Sequence, residues 1–207
     1  TYEEMYWKYG YDRYFDSFEH YYLLYQRRNL DLWAEYADGK VTKEELNRQR
    51  YLYPLEAVGA GDSTLAKAYE RDALTMIPTK SKLMPHAREV LEYLSGKYNL
   101  YILSNGFKEL QSHKMRSSGI DEYFKKVVLS DDIGILKPWP EIFHFALSTT
   151  QSELNNSLMI GDSWENDIVG AAGVGMHQVF YNLSGRTDLP FAPTYQITDL
   201  KDLFNFL

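Results

Sequence analysis

The stretch that decides the fold is Leu158-Met159-Ile160-Gly161-Asp162-Ser163-Trp164-Glu165-Asn166-Asp167. It begins with a short apolar run, typical of a buried strand, and continues into a polar turn flanked by the carboxylates of Asp162 and Asp167. A strand that leads through such a turn into a helix is half of a βαβ unit, so the stretch predicts an α/β fold. Ligands of open α/β sheets bind at the carboxyl ends of the strands, which is where Asp162 stands.

Further apolar runs extend this pattern on both sides of the stretch. They predict strands over 100–103, 126–129, 157–160 and 177–181, with a weaker candidate over 195–197. Helical patterns lie between these runs, as is typical of parallel strands joined by helices. Residues 80–207 are therefore predicted to form an α/β domain with a doubly wound, Rossmann-like parallel sheet.

The first third of the chain has a different texture. Nine of the 18 tyrosines lie within the first 36 residues, and the patterns over 1–79 are helical throughout. Capping-box spacing marks two helix starts, at Thr1 with Glu4 and at Thr42 with Glu45, and Asp62 is placed to cap another helix. The sequence thus predicts a helical domain over 1–79.

Composition narrows the classes of function. With 44% hydrophobic and 25% charged residues, the 207-residue chain is typical of a globular protein. A formal net charge of -7 argues against a duplex nucleic-acid binder. No apolar run approaches the ~18 residues of a membrane span. The absence of cysteine excludes disulfides and thiolate metal sites, and it is typical of a reducing compartment. We expect a soluble, cytoplasmic monomer or homodimer without a membrane or nucleic-acid partner.

Polar residues follow the predicted strands at three places. Ser104-Asn105-Gly106 ends one strand, and its glycine lets backbone amides approach an anion at the next helix start. Lys137 stands between an apolar segment and a proline-opened helix. The carboxylates Asp162 and Asp167 are oxygen ligands of the kind that Mg2+ prefers. Each place also has a purely structural interpretation, as a helix cap, a solvated loop or a charged helix start.

Taken in order, Ser104-Asn105-Gly106, Lys137-Pro138, and Gly161-Asp162 with Asp167 resemble the second, third and fourth motifs of the haloacid dehalogenase (HAD) superfamily. The helical first third is similar to the helical cap that those enzymes insert after their first strand. The wording of 101–107 and 136–143 most resembles the branch that hydrolyses pyrimidine and non-canonical nucleoside 5′-monophosphates.

The resemblance implies a role for each of these residues. Ser104, with Asn105 and Gly106, would bind the transferring phosphoryl group of a small phosphorylated substrate. Lys137 would neutralise the nucleophile and the phosphate. Asp162 would ligate Mg2+, and Asp167 would be a further ligand or would orient Lys137 and a metal-bound water. Ser104, Lys137 and Asp167 are the implied catalytic residues.

Electrostatics favours a phosphatase over a dehalogenase. A phosphate dianion ~4 Å from a carboxylate nucleophile meets about 4 kcal/mol of repulsion per charge pair, which a dication and a lysine relieve. Displacing halide from a monoanionic acid needs no dication, and haloacid dehalogenases carry Ser-Asn-type residues where this chain has Gly161-Asp162. The sequence therefore favours a Mg2+-dependent phosphomonoester hydrolase, with a 2-haloacid dehalogenase as the alternative.

The first motif of the superfamily is missing. That motif is Asp-X-Asp at the end of the central strand, and its first aspartate forms an aspartyl-phosphate. No two aspartates of this sequence are separated by one residue, and 1–20 predict no strand. We expect about twenty residues with the central strand to precede Thr1 in the native protein, and the 207 residues alone to be nearly inactive. A catalytically inactive HAD-fold binding protein is a further alternative.

Overall fold

A computed structural model of the chain describes all residues from Thr1 to Leu207. The residues group into two compact units, Thr1–Lys80 and Ser81–Leu207. We call the first the helical unit, since it contains no strand, and the second the α/β unit, since it contains all five strands. None of the helices combines the length and apolarity that crossing a bilayer requires.

The helical unit is built from four helices. They are α1 (Tyr2–Lys8), α2 (Phe18–Ala37), α3 (Lys43–Ala57) and α4 (Ser63–Met76). The capping box predicted at Thr42 and Glu45 is confirmed, with both of its hydrogen bonds present. The predicted cap at Asp62 is also confirmed, because its carboxylate accepts from two backbone amides of the first turn.

The capping box predicted at Thr1 and Glu4 is wrong. The Thr1 side chain makes no capping hydrogen bond. The Glu4 carboxylate instead accepts a hydrogen bond from Lys80 Nζ at 2.6 Å, which lowers the pKa of Glu4 below its usual value. The same carboxylate lies 3.6 Å from the Thr1 amine, so the bond that is absent from the capping box is the one from the Thr1 side chain.

Tyrosine rings form much of the core of the helical unit. The Tyr11 ring lies 4.9 Å from the Tyr69 ring and 5.1 Å from the Tyr21 ring, and Tyr51 lies 5.5 Å from Tyr69. All four side chains are fully buried. Such rings bury large apolar areas, so they account for the tyrosine-rich composition of this part of the chain.

The α/β unit contains five strands, all parallel to their neighbours. They are β1 (Leu100–Ser104), β2 (Phe124–Leu129), β3 (Leu158–Gly161), β4 (His177–Tyr181) and β5 (Tyr195–Ile197). The helices are α5 (Ala87–Ser95), α6 (Lys108–Ser118), α7 (Pro140–Thr150) and α8 (Gly170–Gly173). A π-helical segment, Trp164–Val169, leads directly into α8.

The parallel strands that the sequence predicts are present, and they pair in two separate sheets. The first has the order β1-β2 and the second the order β3-β4-β5. One edge of β1 and one edge of β3 therefore have no paired strand among the 207 residues. Backbone groups at such edges need partners when they are buried.

Side chains of β3 alternate between two apolar layers. Leu158 and Ile160 pack in a cluster with α5 and with the short 3-10 segment Leu200–Asn205. Met159, between them, packs in another cluster with α7 and α8. Because β3 is covered on both faces, the α/β unit has the doubly wound character that the sequence predicts.

Candidate active site

Lys137 joins the carboxyl ends of β1 and β3. It lies just ahead of α7 and is only 8% exposed. Its ammonium donates to the Leu103 carbonyl of β1 at 2.8 Å and to Asp167 Oδ1 at 2.5 Å. Asp167 belongs to the π-helical segment that follows β3. A buried cation is therefore held where the two strands of different sheets end.

Asn105 fixes the backbone around Lys137. Its Nδ2 donates to the Lys137 carbonyl at 3.0 Å, and its Oδ1 accepts from the Lys137 backbone amide at 2.8 Å. The sequence analysis assigns Asn105 to substrate binding, and these two bonds leave one N–H of its amide for a ligand. The same bonds hold the backbone of Lys137 in place.

Ser104 and Gly106 form a tight turn at the end of β1. The Gly106 amide donates to Ser104 Oγ at 3.0 Å, so this amide is already engaged within the turn. A Cβ at position 106 would approach Ser104 Oγ to 3.1 Å and Gln111 Oε1 to 3.2 Å. Glycine thus provides the space that this turn requires. The Ser104 hydroxyl can still donate its own proton to a bound anion.

Both oxygens of the Asp167 carboxylate are engaged. Oδ1 accepts from Lys137, and Oδ2 accepts from the Ser163 backbone amide at 3.0 Å. Asp167 is 4% exposed, and breaking such a buried pair leaves an unpaired charge that typically costs about 3–5 kcal/mol. Of the two roles implied for Asp167, this geometry favours orientation of Lys137 over metal ligation.

Gly161 gives Asp167 room to take this position. A Cβ at residue 161 would overlap the Asp167 carboxyl group. Glycine at the end of β3 is therefore required by the close approach of the carboxylate. Any larger residue would have to displace Asp167 and so disturb its bond to Lys137.

Asp162 is the exposed carboxylate of the site. It follows β3 directly, and its side chain makes no hydrogen bond or ion pair within the chain. Three or more acidic or histidine side chains that could hold a metal do not cluster anywhere in the structure. Mg2+ usually keeps several waters and takes one or two carboxylates together with phosphate oxygens. Asp162 fits that pattern as a single protein ligand.

Glu165 lies on the outer side of the same segment. The Arg186 Nη1 atom lies 2.6 Å from Glu165 Oε1, and this hydrogen bond lowers the pKa of the Glu165 carboxyl below its usual value. The segment Asp162–Asp167 is therefore bound by a cation on each side, Lys137 within the protein and Arg186 near its surface.

The structure brings together the turn after β1, Lys137 and Asp167, while the Asp162 carboxylate stands free at the end of β3. Two participants were not identified from the sequence: the Leu103 carbonyl, which carries no sequence signal, and Ser163. The latter had a usable signal, because a serine ahead of a helix is typical of an N-cap, and its Oγ accepts from the Asn166 amide at 3.2 Å.

Comparison with known families assigns the chain to one of them. A family model described as haloacid dehalogenase-like hydrolase matches residues 3–175. The chain therefore belongs to the haloacid dehalogenase-like hydrolase family, and the resemblance stated above is confirmed.

The proteins similar to this chain include a nucleotidase, a HAD-hydrolase and a dehalogenase. The pyrimidine 5′-nucleotidase YjjG of Escherichia coli is 30% identical over 185 residues, covering 88% of this chain and 80% of that protein. The crystal structure of the HAD-hydrolase YfnB of Bacillus subtilis, bound to magnesium, has a TM-score of 0.80 at 27% identity, covering 89% of this chain and 81% of that one. A 2-haloacid dehalogenase of Pseudomonas syringae has a TM-score of 0.63 at 25% identity, covering 90% and 79%.

Proposed function

We propose that the protein is a Mg2+-dependent phosphomonoester hydrolase acting on a small phosphorylated metabolite such as a nucleoside 5′-monophosphate. The observation that carries this proposal is the buried ammonium of Lys137 at the carboxyl ends of β1 and β3. An ammonium has three N–H donors, and Leu103 and Asp167 take two of them. The third is available to a phosphate oxygen, whose charge the lysine would neutralise.

Magnesium would be held by Asp162, with Asp167 as the weaker candidate for a second ligand. When bound, the ion would supply positive charge against the phosphate oxygens. Ser104 Oγ would donate a hydrogen bond to the same group. Lys137, held by Asp167 and by the backbone bonds from Asn105, would keep its position as negative charge develops on the transferring group.

We infer that the nucleophile is an aspartate on a strand between β1 and β3, outside the described residues. Both strands have an edge without a paired neighbour, and Lys137 ties their ends together. The aspartate oxygen would bond to phosphorus as the bond to the ester oxygen breaks, and water would then cleave the aspartyl-phosphate. Without that strand, the 207 residues should be nearly inactive.

A 2-haloacid dehalogenase is the second candidate, favoured by the likeness to the Pseudomonas syringae structure. The free carboxylate of Asp162 speaks against it, because displacing halide from a monoanionic acid requires no dication. The name of the Escherichia coli relative also favours a nucleotide substrate.

The partner, the location and the oligomeric state of the protein follow from the same features. A small phosphorylated substrate is the expected partner, and the net charge of -7 makes duplex nucleic acid an unfavourable one. The absence of cysteine supports a cytoplasmic location, where the protein would act as a monomer or homodimer.

Asp162→Asn in the complete protein tests the metal assignment. We expect Mg2+-dependent hydrolysis of p-nitrophenyl phosphate to fall about 100-fold or more, because the substitution removes the charge of a metal ligand. The free energy of unfolding should change by less than about 0.5 kcal/mol, because the side chain is exposed.

Asp121→Asn, at another exposed aspartate, is the matched control and should leave turnover unchanged. Unchanged Mg2+-dependent turnover in Asp162→Asn would refute the metal assignment. Metal-independent chloride release from 2-chloropropionate, without hydrolysis of any phosphate ester in a panel, would identify a dehalogenase.

A further inference from the structure

A buried side chain holds the loop that follows β4 by hydrogen bonds. Asn182 is 4% exposed, and its side chain holds the backbone of Arg186 from both sides. Its Oδ1 accepts from the Arg186 amide at 2.8 Å, and its Nδ2 donates to the Arg186 carbonyl at 2.8 Å. The start of the Arg186 side chain is therefore fixed in space.

The Arg186 guanidinium makes three contacts from this fixed base. Its Nε donates to the Asp188 carbonyl at 3.0 Å, and its Nη1 donates to Glu165 Oε1 at 2.6 Å. Its central carbon lies 5.5 Å from the centre of the Trp164 ring, within the range of a cation–π interaction.

Trp164 is a buried anchor of the same region. It is 3% exposed, and its ring lies 5.1 Å from that of Phe180 in β4 and 4.9 Å from that of Phe191. The strand, the loop and the guanidinium thus enclose the indole.

Trp164 and Glu165 lie in the chain between Asp162 and Asp167. On the inner side, Lys137 and the Ser163 amide hold Asp167. On the outer side, Arg186 is the cation that contacts both residues of the turn. The path of the chain between the two aspartates depends on both sides.

We propose that Arg186 is a positioning residue that fixes the course of the segment Asp162–Asp167 and thereby tunes its affinity for Mg2+. The part that concerns Mg2+ rests on the proposed function, whereas the part that concerns the segment does not. Arg186 would act through Trp164 and Glu165, without touching the metal or the substrate.

The ion pair with Glu165 contributes only part of this effect. The side chains of Arg186 and Glu165 are 33% and 69% exposed, and exposed pairs are weak. The Arg186 side chain bonds Asp188 and Glu165 through two separate nitrogens, Nε and Nη1, whereas lysine has a single charged nitrogen. Arg186→Lys should therefore lose most of the effect while keeping the charge.

Amide hydrogen exchange and calorimetry on the complete protein test the proposal. In Arg186→Ala, we expect the amides of residues 163–168 to exchange about tenfold faster, because this segment opens more readily. Titration with MgCl2 alone should show about fivefold weaker binding, and Arg186→Lys should lie closer to Arg186→Ala than to the parent. Hydrolysis should show a higher requirement for Mg2+ with kcat little changed.

Arg88→Ala is the matched control, since the Arg88 guanidinium also donates two hydrogen bonds but its partners are the Ser118 and Gly119 carbonyls. It should leave both measurements unchanged. Parent-like exchange over 163–168 in Arg186→Ala would overturn the positioning role. Faster exchange with unchanged Mg2+ affinity would overturn the link between Arg186 and the metal. If the parent protein bound no Mg2+, the proposed function would be refuted. The exchange rates alone would then test the positioning role.

Discussion

The two units treat their buried polar groups differently. In the helical unit, the Tyr11 hydroxyl and the Nε atom of Arg50 are buried without a hydrogen-bond partner, and burial raises the pKa of Tyr11 well above its usual value. In the α/β unit, Lys137 and Asp167 are also buried, yet the Lys137 ammonium donates two hydrogen bonds and the Asp167 carboxylate accepts two.

The difference indicates what each unit is built for. An unsatisfied buried hydroxyl costs about 1–3 kcal/mol, which large buried rings can offset. In the helical unit, the polar atom is thus a by-product of packing tyrosine. In the α/β unit, two opposite charges are held in one geometry, which packing alone would not require. A buried pair of opposite charges, each held by hydrogen bonds, therefore marks the candidate site.

Substitution of Lys137 should produce the largest effect. Lys137→Met removes a buried cation and leaves Asp167 unpaired, so we expect a loss of about 3–5 kcal/mol in the free energy of unfolding, measured by urea denaturation. Phosphatase activity of the complete protein should fall to background in the same variant.

A double variant separates the two losses. Lys137→Met with Asp167→Leu removes both charges and should recover most of the stability, because a buried pair can often be replaced by apolar residues. Activity should stay at background. Recovery of activity would mean that Lys137 has only a structural role, and the contrast between the units would lose its functional meaning.

Gly161→Ala should have the next largest effect. Its Cβ would displace the Asp167 carboxyl group, so hydrolysis by the complete protein should fall by about tenfold or more with a stability loss of about 1–3 kcal/mol. Gly173→Ala is the control in α8, where a Cβ meets nothing within 4 Å. Equal behaviour of both variants in turnover assays would show that the carboxylate tolerates displacement.

A pair of tyrosines tests the helical unit with the smallest expected effect. Tyr11→Phe removes an unpartnered hydroxyl, so thermal unfolding should show no loss of stability or a slight gain. Tyr9→Phe removes a hydroxyl whose single proton lies within reach of the Ala68 carbonyl at 2.9 Å and of Asp72 at 2.8 Å, and should cost about 1 kcal/mol. A clear loss in Tyr11→Phe would show that its hydroxyl is satisfied and would weaken the contrast.

Local signals predicted most of the elements. Apolar runs located all five strands, although β2 begins at Phe124, two residues before the prediction, because its exposed Lys125 and Lys126 hide the start from a hydrophobicity pattern. Capping residues located the starts of α3 and α4. These signals lie within a few residues of one another, which is why sequence alone reveals them.

Such local patterns could not predict contacts between residues that are distant in the sequence. The bonds from Asn105 to the backbone of Lys137 join residues 32 positions apart and follow only from the folded chain. The division into two sheets likewise depends on which strands are present to pair. The family resemblance indicated which side chains to examine, and the structure adds how each is held.

The two ion pairs that hold the Asp162–Asp167 segment differ in how mobile ions would reach them. The side chains of Lys137 and Asp167 are 10% and 6% exposed, so dissolved salt screens their attraction little. The side chains of Arg186 and Glu165 are 33% and 69% exposed, so dissolved salt screens their attraction more strongly. Rising ionic strength would therefore weaken the Arg186–Glu165 pair before the Lys137–Asp167 pair. The segment would lose order first on the side that faces the solvent.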